Sequence, residues 1–519
     1  MRCRNKSLFG VKAVFLTALL VLCVLTPDAA AQTDTDIKHS LKQAGKLTRA
    51  GLVDEAETLM RRAVAGSPET SAAKVELAYI LAKQRKIGEA YDLVLSVAKA
   101  EPQNARAFSV LGYILLASGR FGDTRAVLEN ALAIDRSDDL AWATLGRLDF
   151  YENKIDRGIL GLKEAVFQDP FEPDHLLALA QACVRAEDYR GAADSYYKFL
   201  SISKDTDKER RDRIKGLIEF LRFLGDKAGI YTSAHKDSTV VRFDLVNNRP
   251  VIQLKVNGKS EALNFVLDTG SGISVMSEKA AARLKIRPVT RGGFGRGIGG
   301  NGKFEIVYGY LNSIEIGDVK IKNIPIYIRK FHDQNERIDG YIGLSLISRF
   351  ITKIDYGRQT FSITRQPDAD EQPSEENNTV SLPLRLTSSG FLSGEVLLKD
   401  VEAPLNFIVD TGASLTVISA GVGNLESIKG YLVPGKLRII GSAGVTENAS
   451  MYVLPKVSFG SYSRDGVEAV ALDLGVINET SGFEQSGILG GNFLRNYAVT
   501  FDFKNSKVFF DPISPAGPQ

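Results

Sequence analysis

One segment occurs twice in this chain of 519 residues, as LNFVLDTGSGISVMS at residues 263–277 and as LNFIVDTGASLTVIS at residues 405–419. Each copy runs from an apolar strand pattern into Asp-Thr-Gly and then, after small polar residues, into a second apolar strand. The pattern places one carboxylate, Asp268 or Asp410, in a tight turn between two buried strands. Burial disfavours an ionised carboxylate, and two such groups that meet can share one proton. Such a pair acts as general acid and general base in one site.

The similarity between the two halves extends beyond these segments. A single Asp-Thr-Gly is typical of a surface turn. Here, however, each Asp-Thr-Gly is followed later in its half by a similar apolar-apolar-Gly segment, GYIGL at residues 340–344 and GILGG at 487–491. Each is followed by a short strand pattern, at residues 353–356 and 500–503, that ends in a polar turn. Because the order of features is the same in both halves, we interpret them as two lobes produced by duplication of a whole domain.

These features resemble aspartic proteases, specifically the retropepsin-like kind in a single-chain, two-lobed form. The resemblance covers residues 240–513 and implies an all-β acid-protease fold, in which each apolar-apolar-Gly segment supports a catalytic loop from behind. One position departs from the family pattern, because Gly272 stands where a small polar or acidic residue is usual. The implied catalytic residues are Asp268 and Asp410, and the implied loop-support residues are Thr269, Gly270, Ser271, Thr411 and Gly412.

The resemblance also implies a mechanism. The two aspartates hold one proton across the lobe interface and activate a water molecule that attacks the peptide carbonyl, without a covalent intermediate. Thr269 and Thr411 are expected to brace each loop against the opposite lobe through their hydroxyls. Ser271 has a hydroxyl that can donate to Asp268, whereas the corresponding Ala413 has none. We therefore expect the two aspartates to differ in proton affinity, with the acid unassigned.

Glycine-rich segments lie between the two motifs of each lobe. RGIGGNGKF at residues 296–304 and IIGSAGV at residues 439–445 resemble the hairpin tips, or flaps, of retropepsins. Glycine permits positive backbone angles and lets such a tip lie against a peptide. An ordinary glycine-rich hairpin turn is the alternative interpretation of each segment. The flap residues implied in this way are Gly297, Ile298, Gly299, Gly300 and Gly441.

Residues 36–226 have a helical pattern with small residues at a period of 34. The period resembles that of the tetratricopeptide repeat and predicts five repeats of paired helices, with a capping helix over residues 209–224. Proline recurs where the second helix of a pair should end. Thr124 and Gly158 replace the alanine that the family favours, so we expect the third and fourth repeats to be less regular. The two small-residue series are Ala44, Ala78, Gly112, Gly146, Ala180 and Ala56, Ala90, Thr124, Gly158, Ala192, and the prolines are Pro68, Pro102 and Pro170.

Repeat arrays of this type commonly bind peptides or protein segments, which favours a protein partner for this one. A spacer that only positions the next domain is the alternative. The polar segment at residues 226–239 separates the helical pattern from the strand pattern and predicts a domain boundary. Autoprocessing near this segment would release the array as a pro-region.

The N-terminus has the order of a secretory signal, with basic residues, an apolar core from Val14 to Leu25 and then alanines. We predict cleavage after Ala31 and a periplasmic or secreted protein. The alternatives are an uncleaved membrane anchor, although the apolar run is short for a bilayer span, and lipid modification of Cys23. Cleavage leaves Cys183 without a disulfide partner, and its apolar surroundings predict a buried core residue.

The composition excludes several functional classes. A net charge of +3 and the lack of a dense basic run with aromatic residues argue against nucleic-acid binding. The four histidines are scattered without the spacing of a metal site, so no metal and no cofactor are indicated. A membrane contact is expected only if the signal stays uncleaved.

The sequence thus predicts a multidomain chain with an all-α tetratricopeptide-like superhelix followed by an all-β two-lobed acid-protease fold. The expected activity is that of an aspartic endopeptidase acting on peptide or protein substrates. The alternative is a non-catalytic secreted scaffold with an inactive protease-like fold. The linker permits each lobe to pair with its twin in a second chain, but two motifs in one polypeptide favour the intramolecular pair. The predicted divisions are a signal peptide at 1–31, the repeat array at 36–226, lobe 1 at 240–365, the linker at 366–378 and lobe 2 at 379–513.

Overall fold

The computed structural model describes residues 27–204, 207–332, 337–365 and 381–513. The chain divides into two compact units, Met1–Val97 and Ala98–Gln519. Most of the predicted signal peptide, residues 1–26, lies outside the described residues, and so does the predicted linker at 366–378. Among the described residues, no helix combines the length and the apolar composition that crossing a bilayer requires.

Helices make up the described part of the first unit. All four members of the small-residue series in this unit, Ala44, Ala56, Ala78 and Ala90, are fully buried. A small side chain at a buried position lets neighbouring helices pack closely. The helices are α1 Pro27–Arg49, α2 Val53–Gly66, α3 Ser71–Lys83 and α4 Ile87–Ala100, the last of which ends just beyond the unit.

The second unit begins with further helices of the same array. Several start at a side chain that caps the first turn, as where Asp138 accepts from the amide of Ala141 at 2.8 Å. The predicted period holds from α2 to α10, since equivalent helices in this range begin 34 residues apart. These helices are α5 Ala105–Ala117, α6 Phe121–Ile134, α7 Asp139–Tyr151, α8 Ile155–Gln168, α9 Pro173–Arg185, α10 Tyr189–Ile202 and α11 Lys208–Gly225.

The expected irregularity of the third and fourth repeats stays a prediction, and the structure shows how each substituted position is accommodated. Thr124 is fully buried, and its hydroxyl donates to the carbonyl of Arg120 at 2.7 Å, so its extra polar group is satisfied within α6. At the other position, the backbones of helices α7 and α8 lie in direct contact where the two helices cross. A Cβ atom on Gly146 would lie 2.9 Å from the amide nitrogen of Leu162 and 3.0 Å from the carbonyl oxygen of Gly158. Glycine at 158 therefore reflects a closer helix contact than alanine allows.

Cys183 lies in the core of the repeats, as its sequence context predicts. Only 4% of its surface is exposed, and burial raises the pKa of its thiol to about 11. The thiol therefore stays protonated at physiological pH, which makes it unsuited to nucleophilic chemistry.

The first lobe follows the helices within the same unit. Its strands are β1 Thr232–His235, β2 Ser238–Arg242, β3 Asp244–Val246, β4 Arg249–Val256, β5 Ala262–Leu267, β6 Ser274–Ser277, β7 Thr290–Arg296, β8 Lys303–Ile316, β9 Val319–Arg329, β10 Gly340–Ile342, β11 Phe350–Asp355 and β12 Thr360–Arg365. Its helices are α12 Glu278–Arg283 and α13 Leu344–Ile347.

The second lobe repeats this order from β4 onward, with two additional helices. Its strands are β13 Ser381–Pro383, β14 Arg385–Leu386, β15 Leu392–Leu398, β16 Leu405–Val409, β17 Thr416–Ser419, β18 Leu432–Gly441, β19 Gly444–Phe459, β20 Tyr462–Leu472, β21 Gly487–Leu489, β22 Tyr497–Asp502 and β23 Lys507–Pro512. Its helices are α14 Ala420–Gly423, α15 Glu426–Lys429, α16 Gly475–Ser481 and α17 Gly491–Leu494.

The described residues of the two lobes form three sheets. The first lobe has the order β1-β9-β6-β10-β5-β4-β8-β7 with β3 beside β4, and the second has β14-β15-β16-β21-β17-β20-β19-β18. In both lobes a short strand, β10 or β21, lies parallel to the strand before Asp-Thr-Gly and antiparallel to the strand after it. The shared topology is that of a duplicated domain.

The third sheet joins the lobes. Its order is β13-β23-β22-β11-β12-β2, and its central pair places Thr352 opposite Phe501 and Asp355 opposite Ala498. Both lobes also contribute to one apolar core, in which Phe265, Phe361 and Phe407 are almost completely buried. The two lobes of one chain are therefore packed together through a shared sheet and a shared core.

The α7–α8 crossing provides a test of the repeat packing. We expect Gly146→Ala to lower the free energy of unfolding by about 1–3 kcal/mol, because the added methyl group meets backbone atoms that cannot rotate away. Gly122→Ala is the matched control, since a Cβ atom there has no neighbour within 4 Å. Urea denaturation followed by circular dichroism measures both variants. Equal stability of the two variants would contradict the close crossing.

Candidate active site

The two Asp-Thr-Gly loops follow β5 and β16. Each is held from behind by the neighbouring short strand, because the amide of Asp268 donates to the carbonyl of Ile342 and that of Asp410 donates to Leu489, both at 3.0 Å. There is no room for a side chain where this strand leaves the sheet, since a Cβ atom on Gly343 would lie 2.6 Å from the backbone of Ile273. The apolar-apolar-Gly segments thus have the supporting position that the resemblance implies.

The two loops are bonded to each other across the lobe interface. The hydroxyl of Thr269 donates to the carbonyl of Val409 at 2.6 Å, and the hydroxyl of Thr411 donates to that of Leu267 at 2.7 Å. Each hydroxyl also accepts from the backbone amide of the other threonine, at 3.1 and 3.2 Å. Both threonines are fully buried, so these bonds fix the position of each loop relative to the other lobe.

This arrangement brings the two predicted carboxylates together. A Cβ atom on Gly270 would lie 2.2 Å from Cγ of Asp410, and one on Gly412 would lie 2.7 Å from Cγ of Asp268. Each carboxylate therefore occupies the space that glycine leaves open in the opposite loop. The two side chains are also within hydrogen-bonding reach of each other.

Burial and the second carboxylate perturb the titration of the pair. Burial raises the pKa of Asp268 well above its ordinary value, and the charge of Asp410 raises it further. Burial also raises the pKa of Asp410. This increase is opposed by the amides of Gly412 and Ala413, which donate to Oδ1 of Asp410 at 2.7 and 3.1 Å. Asp268 accepts from the amide of Gly270 at 3.0 Å.

The expected hydrogen bond from the Ser271 hydroxyl to Asp268 is wrong. Its hydroxyl donates to the carbonyl of Ile273 at 2.8 Å, and a hydroxyl has only one proton to donate. The asymmetry of the pair arises from the backbone instead, because the amide of Ala413 gives Asp410 a second donor. The unusual glycine next to Ser271 is explained by the opposite lobe, since a Cβ atom on Gly272 would lie 2.3 Å from the carbonyl oxygen of Ser389.

The two predicted flaps are hairpins whose tips touch each other. We call β7–β8 with its turn at residues 297–302 flap 1, and β18–β19 with its turn at Ser442–Ala443 flap 2. The amide of Gly300 donates to the carbonyl of Val445 at 3.0 Å, and the amide of Ala443 donates to that of Ile298 at 2.8 Å. The tips are therefore joined by backbone hydrogen bonds.

Glycine is required where the flap tips meet. Gly299 has a φ of 91°, and a Cβ atom on it would lie 2.2 Å from the carbonyl oxygen of Gly444. A Cβ atom on Gly441 would lie 2.3 Å from the carbonyl oxygen of Ile298. Gly297 lies against the side-chain hydroxyl of Ser442. All five residues that the sequence assigns to the flaps thus lie at this contact.

A cavity of about 1420 Å³ lies between the carboxylates and the flaps. Its walls include residues of α9, α10 and α11 as well as both lobes, a contribution that the sequence does not predict. Helix α11 lies directly on flap 1. The ring of Phe220 stacks on Tyr308 with centroids 4.4 Å apart, and Arg213 donates to the carbonyl of Phe294 at 3.0 Å. A Cβ atom on Gly216 would lie 2.3 Å from the carbonyl oxygen of Arg291.

The comparisons with known families agree with this geometry. Residues 252–346 and 395–493 match the family model for aspartyl proteases, and these ranges include both Asp-Thr-Gly loops. Residues 42–100 and 144–205 match a tetratricopeptide repeat model. The chain joins tetratricopeptide repeats to an aspartyl protease-like domain. The resemblance and the fold class inferred from the sequence are confirmed.

Solved structures similar to the chain include tetratricopeptide repeat proteins. They include a thermophilic tetratricopeptide repeat protein of Thermus thermophilus, with 21% identity, covering 35% of this chain and 98% of that one at a TM-score of 0.31. MamA of Desulfovibrio magneticus has 22% identity and covers 33% of this chain and 97% of that one at a TM-score of 0.23. PilF of Pseudomonas aeruginosa has 15% identity and covers 37% of this chain and 89% of that one at a TM-score of 0.28. No curated protein matches the chain.

The threonine bonds of the protease-like domain can be tested by removing one hydroxyl. We expect Thr269→Val to lower the free energy of unfolding by about 1–3 kcal/mol, because the carbonyl of Val409 and the amide of Thr411 lose a buried partner. Thr269→Ser keeps the hydroxyl and is the matched control. Both are measured by urea denaturation. If the valine and serine variants were equally stable, the cross-lobe bonds would not contribute as described.

The raised pKa of Asp268 predicts how stability depends on pH. Between the ordinary aspartate pKa of about 3.9 and the higher native value, the native state binds more protons than the unfolded state. The stability that this group contributes is therefore present at acid pH and is lost as the pH rises through the native pKa. Asp268→Asn removes that loss. In thermal melting between pH 4 and pH 7, the melting temperature of the asparagine variant should rise relative to that of the wild type as the pH increases. A difference in melting temperature that does not change with pH would contradict the raised pKa.

Proposed function

We propose that the chain is an aspartic endopeptidase in which Asp268 and Asp410 together activate water for peptide hydrolysis. The observation that carries the proposal is the pair of adjacent carboxylates, facing a large cavity with both pKa values raised. Two carboxylates within hydrogen-bonding reach of each other resist double ionisation, so the pair retains one proton over a wide range of pH. A singly protonated pair has both the base and the acid that hydrolysis needs.

The proposed proton transfers follow from the backbone asymmetry. Asp410 accepts two amide hydrogen bonds, which stabilise its ionised form, so Asp268 holds the proton. Ionised Asp410 takes a proton from the water molecule as it attacks the peptide carbonyl, while Asp268 donates a hydrogen bond to the carbonyl oxygen. The proton taken from water then passes to the leaving nitrogen. Thr269 and Thr411 act as positioning residues because they bond to the loops and not to the substrate.

The proposed peptide site lies between the carboxylates and the flaps. The flap tips are bonded to each other, so a polypeptide enters when those bonds open and is covered when they close again. Closure excludes bulk water, which strengthens the electrostatic interactions within the site. An extended peptide segment is the substrate that a cleft covered by two hairpins accommodates.

The remaining parts of the proposal concern the cell and the repeats. The signal-like N-terminus supports a periplasmic or secreted enzyme. The repeat array supports a protein partner, since tetratricopeptide repeats generally mediate protein contacts. The non-catalytic scaffold is the competing function, and it requires the carboxylate pair to be inactive.

The proposal is tested by asparagine substitution of each aspartate. We expect Asp268→Asn and Asp410→Asn each to lower the cleavage rate of a denatured protein mixture by roughly 100-fold to 10,000-fold, because either change removes one half of the acid–base pair. We expect wild-type activity to be highest at acid pH and to fall as the shared proton is lost. Peptide products are counted by mass spectrometry between pH 3 and pH 8.

Asp465→Asn serves as the matched control, because Asp465 lies on the exposed surface of β20, away from the cavity. It should cleave at the wild-type rate. A folded wild type that cuts nothing across this pH range would favour the scaffold. Full activity in either active-site variant would contradict the shared pair.

A further inference from the structure

The cavity beside the carboxylates has an excess of positive charge. Its described lining includes nine arginine and lysine side chains but only three aspartates, Asp156, Asp268 and Asp410. The whole chain has nearly equal numbers of basic and acidic residues, 65 against 62. The excess is therefore a local property of the cleft.

Some of these cations are neutralised by neighbouring carboxylates. Arg349 pairs with Glu187, Arg438 pairs with Glu447 at 3.0 Å, and Arg296 lies 4.0 Å from Glu479. Ion pairs of this kind leave little net charge at the surface of the cavity.

Other arginines of the lining donate their hydrogen bonds to backbone carbonyls. Arg185 donates to the carbonyls of Thr387 at 2.6 Å and Phe150 at 3.1 Å. Arg213 donates to Phe294, and Arg329 donates to the carbonyl of Ser442 at the tip of flap 2. A carbonyl group satisfies an N–H donor without cancelling the charge. In the part of the chain that the structure describes, none of these three arginines lies within 4.0 Å of a carboxylate.

The position of these arginines suits recognition of a peptide. Arg329 ends β9 and interacts electrostatically with Asp268, and its guanidinium lies 3.5 Å above the ring of Phe304 in flap 1. Arg213 and Arg185 come from the repeat helices α11 and α9. Apolar and aromatic walls have a low dielectric constant and screen charge less than water does, so the electric field of the arginines is concentrated in the cleft.

Arg185 and Arg329 are charged at working pH. Burial lowers the pKa of Arg185 to about 9 and that of Arg329 to about 10, and both values are well above pH 6. Glutamate side chains in a peptide have an ordinary pKa of about 4.3, so they are ionised at the same pH.

We propose that the cleft selects extended peptide segments with acidic side chains, and that the repeat helices α9 and α11 supply part of the wall that recognises them. The part of this inference that concerns cleavage rests on the proposed endopeptidase function. Its binding readout is independent of catalysis. The repeats are then part of the substrate site in addition to any partner that they bind elsewhere.

The test uses three fluorescent peptides, in which leucine alternates with glutamate, glutamine or lysine. Binding to the full chain is measured by fluorescence anisotropy at pH 6, with Asp410→Asn as the protein so that cleavage is slow compared with the measurement. We expect the glutamate peptide to bind about tenfold more tightly than the glutamine peptide at low ionic strength and the lysine peptide to bind most weakly. The preference should shrink as salt is added.

Substitutions then identify the arginines that produce the preference for the glutamate peptide. Arg213→Gln and Arg329→Gln should each reduce the glutamate preference by about threefold, whereas Arg213→Lys should keep most of it because the charge remains. Lys322→Gln is the matched control, since Lys322 lies on β9 like Arg329 but outside the cavity lining. Its glutamate preference should equal that of the parent protein.

Two outcomes overturn the inference. One is equal binding of the glutamate and glutamine peptides, and the other is a loss of preference in Lys322→Gln as large as in Arg213→Gln. Cleavage of the same peptides by the wild-type chain separates the two proposals. Cleavage without a glutamate preference contradicts the acidic-peptide inference alone, whereas a glutamate preference without cleavage contradicts the endopeptidase alone.

Discussion

The reciprocal hydrogen bonds of Thr269 and Thr411 are the interaction on which the candidate site depends. Each hydroxyl donates to a backbone carbonyl of the opposite lobe and accepts from the opposite threonine, so neither loop can move without breaking buried bonds. Two carboxylates repel each other when ionised and cost free energy when buried. The threonine bonds, the shared sheet and the shared core offset that cost, and the raised pKa of Asp268 is the electrostatic consequence.

The repeats and the protease-like lobes are joined most directly at flap 1. Helix α11 contacts this flap through the stacked rings of Phe220 and Tyr308 and through the close approach of Gly216 to Arg291. Flap 2 has its tip bonded to flap 1 and to Arg329. The same helices line the cavity, so the array contributes to the site both by positioning a flap and by adding charge to the wall.

Much of this architecture was predictable because its signals are local. The duplicated motif predicted that Asp268 and Asp410 come together. Glycine-rich segments predicted the flap tips, and the period of 34 residues predicted the helix pairs. The contacts of α11 with flap 1 were not predictable, because Gly216 and Arg291 share no pattern and meet only in the folded chain. The bond of Ser271 was predicted wrongly for a similar reason. Composition shows that a hydroxyl is present but does not show which acceptor the backbone geometry provides.

The central claim is that Asp268 and Asp410 share one proton. The most direct measurement is a carbon-13 NMR titration of the chain labelled at aspartate carboxyl carbons, with Asp268→Asn and Asp410→Asn used to assign the two signals. We expect one carboxyl of the wild type to remain protonated well above the ordinary pKa of about 3.9. We also expect this high titration to vanish in both variants. Two carboxyls that titrate independently near the ordinary value would contradict the shared proton and with it the proposed mechanism.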